Sequence, residues 1–420
     1  MSFNGHTVSF LLIFSFIILL HAMIIRIRPF TIKSEDKHYL SYSRDSSLNF
    51  TELATKYGYQ SQEHQVVTED GYLLKVFRVS QGRNCDGRRR SPPVILMHGL
   101  LQSSDSWLDA GPGAALAYLI SDACYDLWVA NCRGNYYSRR HLKLAPNSSQ
   151  FWHFSIDEIG FYDVPATIDY VLNYTGAEKV NYIGYSQGAG TFFVMCSERP
   201  GYCDKVNVLI ALAPATRQIN TKSILFRFLT DAILRLEHLL TKYGMYEIFA
   251  KGSISQEFLA FFCELNWITE MICNSGQSIL DAYHPNSVAE HTARSMFGHF
   301  PAGTSVHNMA RYGQSMISED FGKFNYGVDN MRVYGSEDPP LYNLSAVSVP
   351  VVIIYGKNDR LVDTKDVEWL AKRLPNVVES FLVEDPYWNH LDVTYSRYTS
   401  ISVFPKVNEH LLRYSFEDTR

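Results

Sequence analysis

At 420 residues the chain is long enough for one large domain or two small ones with a substantial core, so folding requires neither a metal nor a disulfide staple. Hydrophobic residues make up 46%, charged residues 19% and aromatic residues 14%, a globular balance richer in rings than usual. The net charge of −5, from 38 Lys and Arg against 43 Asp and Glu, excludes the one-sided basic face that nucleic acid requires. Arg88-Arg89-Arg90 follows the turn-rich Asn84-Cys85-Asp86-Gly87 and reads as a solvated loop.

In chain order, residues 1–25 read as a signal peptide or membrane anchor. The apolar run Val8–Ile25 is long for a signal core and short for a spanning helix, and it would supply any membrane association. Arg26, Arg28 and Lys33 after it would hold an uncleaved anchor with the remainder in the cytosol. Four acceptor sequons, at Asn49, Asn147, Asn173 and Asn343, argue instead for a protein that is secreted or sits in the secretory-pathway or lysosomal lumen, or for an anchored protein with a lumenal catalytic domain. Residues 26–52 form a polar extension without periodicity.

The first part of the core is expected over 53–215. His64 to Val79 holds two β-rich runs around a Glu69-Asp70-Gly71 turn and predicts a hairpin. Apolar runs at 93–97, 126–130, 180–183 and 206–211 then alternate with helical segments such as Tyr162–Leu172, which predicts βαβ units, a mostly parallel central sheet and the α/β class. From 216 to 336 the rhythm breaks into amphipathic helices. In Lys222–Leu240 the residues Ile224, Leu225, Phe228, Leu229, Ile233, Leu236 and Leu240 share one face. With Phe258, Phe261, Phe262 and Trp267 further on, this insertion reads as a cap or lid over an apolar pocket. The second part of the core, 337–420, brings strands at 350–355 and 378–383 around a helix at 363–374. The seven cysteines are an odd number, so at least one is unpaired within the chain. Cys263 and Cys273, enclosing a short irregular segment, are the favoured bridge, and the others read as small buried hydrophobes.

A serine hydroxyl is a poor nucleophile, so an enzyme must take its proton and expose its oxygen. Gly184-Tyr185-Ser186-Gln187-Gly188 follows a buried strand and precedes a helix-compatible run, the context in which Gly-x-Ser-x-Gly presents serine on a sharp turn. An oxyanion needs N–H donors. Gln187, after the serine, and Leu100, in the loop His98-Gly99-Leu100-Leu101-Gln102 after an earlier strand, stand where these belong, with His98 in a structural role. The order nucleophile, acid, histidine restricts the partners to the region after the cap. Asp359 follows a strand end, whereas Asp363 suits a helix cap and Asp366 first-turn charge; His390 follows the last strand, and His410 is the one later alternative. Ser186, Asp359 and His390 are therefore the expected triad, working through an acyl-enzyme without cofactor or metal.

From Leu53 to Leu412 the chain resembles the acid lipases, the family of the gastric and lysosomal enzymes and their insect digestive relatives. The resemblance rests on Thr68-Glu69-Asp70-Gly71-Tyr72, His98-Gly99-Leu100, Asn131-Cys132-Arg133-Gly134-Asn135, Phe151-Trp152, Glu158 to Asp163, Ala302-Gly303-Thr304-Ser305 and His390-Leu391-Asp392. It implies an α/β-hydrolase fold with an inserted cap. It also places Ser186, Asp359 and His390 on the family triad, Leu100 and Gln187 on the oxyanion donors, and Cys263 and Cys273 on a cap disulfide. The implied substrates are triacylglycerols or sterol esters met at a lipid–water interface. Tyr185 stands where the best-known vertebrate members carry His, which leaves an acidic pH preference open. An acyltransferase or a non-catalytic lipid-binding protein on the same fold are the alternatives.

Overall fold

A computed structural model describes residues 45–82, 85, 90–252 and 280–415. The leader expected at 1–25, most of the polar extension, and the Cys263–Cys273 bridge lie outside these residues. Among the described residues no helix is long and apolar enough to cross a membrane.

A short helix absent from the sequence reading, α1 (Phe50–Lys56), opens the described fold. Asn49 caps it, accepting from the Glu52 amide while Glu52 reaches back to the Asn49 amide, and Phe50 and Leu53 are buried. The hairpin forms as expected from β1 (Gln60–Val67) and β2 (Leu73–Gln81), paired antiparallel. Its Gly71 has φ +100°, and a Cβ there would sit 2.9 Å from the His141 ring. Below the turn the buried Arg133 guanidinium pairs with Asp70 at 2.6 Å and Asp163 at 2.7 Å and lies 4.0 Å from the centre of the Tyr72 ring. Three of the sequence segments behind the family resemblance thus meet on one buried cation.

The remaining strands of the sheet are β3 (Arg90–Met97), β4 (Tyr125–Ala130), β5 (Val180–Tyr185), β6 (Val206–Leu212), β9 (Val351–Tyr355) and β10 (Val377–Leu382). The eight-stranded order is β1-β2-β4-β3-β5-β6-β9-β10, parallel from β4 onward. Strands buried on both faces need near-continuous apolar sequence, which is why 126–130, 180–183 and 351–355 were legible as runs. Helices α2 (Leu116–Asp122) and α9 (Phe404–Arg413) cover one face through Leu116, Ala117, Val407 and Leu411. Helices α3 (Val164–Thr175) and α4 (Gln187–Glu198) cover the other through Ile168, Val171, Phe192 and Phe193. From β3 the chain goes first to β4 on one side and later to β5 on the other. A crevice at the carboxyl ends of strands forms at such a reversal, here between the loops after Met97 and Tyr185.

Between β6 and β9 lie α5 (Ile224–Lys242), α6 (Glu290–His299) and α7 (Val306–Ser315), with a two-stranded antiparallel pair, β7 (Glu247–Ile248) and β8 (Thr304–Ser305), that the sequence did not suggest. The apolar face expected of α5 is corrected: Phe226, Thr230, Ile233 and Leu240 are its buried residues, while Ile224 is 84% and Phe228 53% exposed. The reason is the neighbour. Gly313 of α7 lets the helices approach so closely that a Cβ there would meet the Thr230 carbonyl at 2.7 Å, turning the Thr230 side inward. Of the five cysteines outside the favoured pair, four form two bridges, Cys85–Cys124 and Cys196–Cys203, where the sequence suggested small buried hydrophobes. Cys132 is free and buried.

Candidate active site

Ser186 sits between β5 and α4 with φ 51° and ψ −112°, a conformation that a non-glycine residue adopts only under constraint. The two motif glycines make the turn sterically feasible. A Cβ on Gly184 would lie 2.6 Å from the Gly188 carbonyl oxygen, and one on Gly188 would lie 2.4 Å from that of Met97. The Ser186 amide donates to the Leu212 carbonyl at the end of β6, and its carbonyl accepts from the Ala215 amide just beyond, so the end of β6 holds the turn.

Three expected residues converge here. His390 Nε2 lies 2.9 Å from Ser186 Oγ, and His390 Nδ1 lies 2.7 Å from Asp359 Oδ2. The other carboxylate oxygen, Asp359 Oδ1, accepts from the amides of Leu361 at 2.8 Å and Val362 at 2.7 Å. All three side chains are buried, Ser186 at 6% exposure, His390 at 5% and Asp359 at 2%. Burial by itself lowers the pKa of His390, but Asp359 and then Asp281 outweigh it, and the imidazole ends above its ordinary value. Asp363 caps α8 (Thr364–Ala371), accepting from the Lys365 amide, and Asp366 binds Asn220 and Arg217. His410 pairs with Glu379 at 2.6 Å. None of these competitors contacts Ser186.

Leu100 lines a cavity of about 60 Å³ together with Ser186, His390, Phe226, Leu280, Phe300 and Tyr312. The amides of Leu100 and Gln187 form no hydrogen bond with another described residue. The Leu100 loop is held from beneath. His98 Nδ1 donates to the Gly99 carbonyl at 2.8 Å, and its Nε2 accepts from the Cys132 amide and Asn135 Nδ2. Burial pushes His98 down to about 4, so it stays neutral in this tautomer. Cys132 Sγ is only 3.4 Å from His98, a pairing that superficially resembles a cysteine–histidine dyad. It is not one chemically: burial pushes the thiol up, and a neutral, enclosed thiol is inert.

Sequence reasoning missed the supports around this centre. Gln102 accepts from the Gly99 amide and donates to Thr394 and Tyr395, tying the Leu100 loop to the segment after His390. Gln187 Oε1 accepts from Asn308 at 2.8 Å and Tyr312 at 3.2 Å, both on α7. Tyr185 donates its hydroxyl to the His390 carbonyl at 2.9 Å, and the rings lie 5.0 Å apart. Its position beside Ser186 was legible, but its partner, 205 residues away, was not. A cavity of about 580 Å³ opens elsewhere, lined by Trp152, His153, Glu237 and His307 among others. It is larger but includes none of Ser186, Asp359 and His390, so size does not identify the reactive site.

The sheet order, the strained serine turn and the placement of the crevice define an α/β-hydrolase. The family described as a partial alpha/beta-hydrolase lipase region matches residues 50–111, and the alpha/beta hydrolase fold family matches 92–235. "Lipase 1" of Drosophila melanogaster is 39% identical over 350 residues, 83% of this chain and 76% of that one. "Gastric triacylglycerol lipase" of Homo sapiens is 35% identical, with coverage of 83% and 87%, and "Lipase 3" of Drosophila melanogaster is 36% identical, with coverage of 85% and 91%. The chain belongs to this α/β-hydrolase lipase family and is by class a carboxylic ester hydrolase. The hypothetical protein PA2218 of Pseudomonas aeruginosa shares the fold, with a TM-score of 0.50 at 13% identity over 85% of this chain and 94% of that one.

Proposed function

We propose that the protein hydrolyses lipid esters, triacylglycerols or sterol esters, with Ser186 as nucleophile, His390 as base and Asp359 as its partner. The observation that carries this is the unbroken hydrogen-bond chain from Asp359 through His390 to Ser186. His390 Nε2 takes the serine proton as Oγ attacks the ester carbonyl, and Asp359 stabilises the imidazolium that forms. The amides of Leu100 and Gln187 stabilise the oxyanion, each contribution being on the order of 10²–10³ in rate. His390 then gives its proton to the leaving alkoxide, and water repeats the sequence on the acyl-enzyme.

The apolar lining supports a greasy substrate. The cavity at Ser186 is small, about 60 Å³, and its lining is largely apolar. Phe226, Leu280 and Phe300 present an apolar wall to an acyl chain there. The exposed apolar residues Ile224, Phe228 and Leu239 of α5 suit action at a lipid–water interface. Two disulfides and the exposed sequon residues Asn147, Asn173 and Asn343 support a secretory or lysosomal lumen and glycosylation there; Asn49, half-buried, is the sequon engaged as a helix cap. Ser186→Ala should abolish fatty acid release from emulsified triglyceride while leaving thermal unfolding unchanged. Retained hydrolysis would remove the assignment.

A further inference from the structure

A second carboxylate lies beside the triad. Asp281 is fully buried, and it is not one of the residues that the chemistry of the motif calls for. Its Oδ1 accepts from the Arg360 amide at 2.9 Å, directly after Asp359, and its Oδ2 accepts from the Leu391 amide at 3.1 Å, directly after His390. One side chain thus bridges the loop that carries the acid and the loop that carries the base. The segment around it is laced to the same two loops. Asn389 donates to the Ala282 carbonyl at 2.7 Å, Asn358 donates to that of Tyr283 at 3.2 Å, and Leu280 lines the cavity at Ser186.

We propose that Asp281 is a positioning residue for hydrolysis, strapping the Asp359 and His390 loops together and adding a second negative charge that supports the imidazolium. The inference rests on the triad reading above. Among the described residues no Lys or Arg pairs with this carboxylate, so its hydrogen-bond donors are the two amides and its neighbouring cation is His390 when protonated. The groups that face this pair are Asp359 from the acid loop, His390 and Asp392 from the base loop, and Tyr185 from the end of β5. On its own segment His284 is held by Asp392 and Asp385. Burial and then Asp359 push Asp281 up to about 7, while His390 and the two amides pull it down. Asp281 and His390 therefore titrate together, the ionised form of each favouring that of the other.

The test is the pH dependence of kcat/KM on a soluble short-chain p-nitrophenyl ester for wild type, Asp281→Asn and Asp281→Glu, with thermal unfolding recorded for each. Asp281→Asn should move the acid-side limb to lower pH, because His390 loses its proton more readily without the second charge. It should also lower plateau kcat roughly tenfold. Asp281→Glu should return the limb to its wild-type position whatever its kcat. An unmoved limb in Asp281→Asn, a limb displaced equally in both variants, or failure of both to fold would overturn the proposal, since the group would then serve only the fold. Ser186→Ala assayed beside them separates the readings. Activity there would overturn the triad and the Asp281 proposal with it, whereas a dead Ser186→Ala with an unmoved Asp281→Asn limb would overturn the Asp281 proposal alone.

Discussion

Replacing Tyr185 by Phe removes one hydroxyl and leaves the ring, so its effect isolates a single hydrogen bond. The ring is buried, edge-on to Trp107 at 6.1 Å and tilted against His390, and Phe fills the same space without a cavity. What is lost is the bond to the His390 carbonyl, whose other donor is the Val393 amide at a long 3.4 Å. A buried acceptor left poorly satisfied costs about 1–3 kcal/mol. The Val393 contact places this case in the lower half, about 1–2 kcal/mol, which for a chain of this size lowers Tm by roughly 1–4 °C. The carbonyl belongs to the base itself, so the imidazole loses one of its anchors, and kcat should fall about tenfold with KM unchanged. Burial holds the phenol well above its ordinary value of 10, so it stays protonated and adds no pH dependence of its own. Steady-state kinetics on a soluble ester with differential scanning calorimetry would check both parts. A lowered Tm with unchanged kcat would refute the reasoning, showing Tyr185 to be part of the core and nothing more.

The acid assignment predicts that Asp359→Asn lowers kcat by about 10⁴, as loss of a triad acid does. Asp363→Asn, which keeps a capping side chain, should stay within about two-fold. Stability should fall with rising pH: Asp281 binds its proton up to about 7 in the folded state against an ordinary 3.8, so its contribution is complete below about pH 4 and lost as pH climbs through 7. His390, also raised, acts in the same direction above its ordinary 6.5, so Tm measured from about pH 5 to 8 should fall more steeply in wild type than in Asp281→Asn. The disulfides close loops separated by 39 and 7 residues. Chain entropy then predicts a loss of about 4 kcal/mol for Cys85→Ser and about 2 kcal/mol for Cys196→Ser in denaturant unfolding.

The parts legible in the sequence are those whose physics is local. Strands buried on both faces declare themselves as apolar runs, and the Gly-x-Ser-x-Gly turn needs its glycines within four residues of each other. Asp359 and His390 could be placed because each follows a strand end. Partners fixed by tertiary approach were invisible. Nothing near Asp281 in sequence announces that it will lie between Arg360 and Leu391, and nothing near Gln187 announces Asn308 and Tyr312. The α5 helix failed for a related reason: its composition offers apolar residues on more than one side, and Gly313 on another helix decides which side turns inward. Cys85 and Cys124 likewise meet only once β2, β3 and β4 are side by side, whereas Cys196 and Cys203 close a short loop between the last turn of α4 and the start of β6.

The central claim is that Ser186 Oγ is the atom acylated during turnover. Incubating the protein with a long-chain alkyl phosphonate ester, which forms a stable adduct at an activated serine, followed by digestion and peptide mass spectrometry, tests it directly. The expected result is one stoichiometric adduct on the peptide containing Ser186, in step with loss of esterase activity and absent from Ser186→Ala and His390→Gln. An adduct on another residue, or full inactivation with Ser186 unmodified, would contradict it.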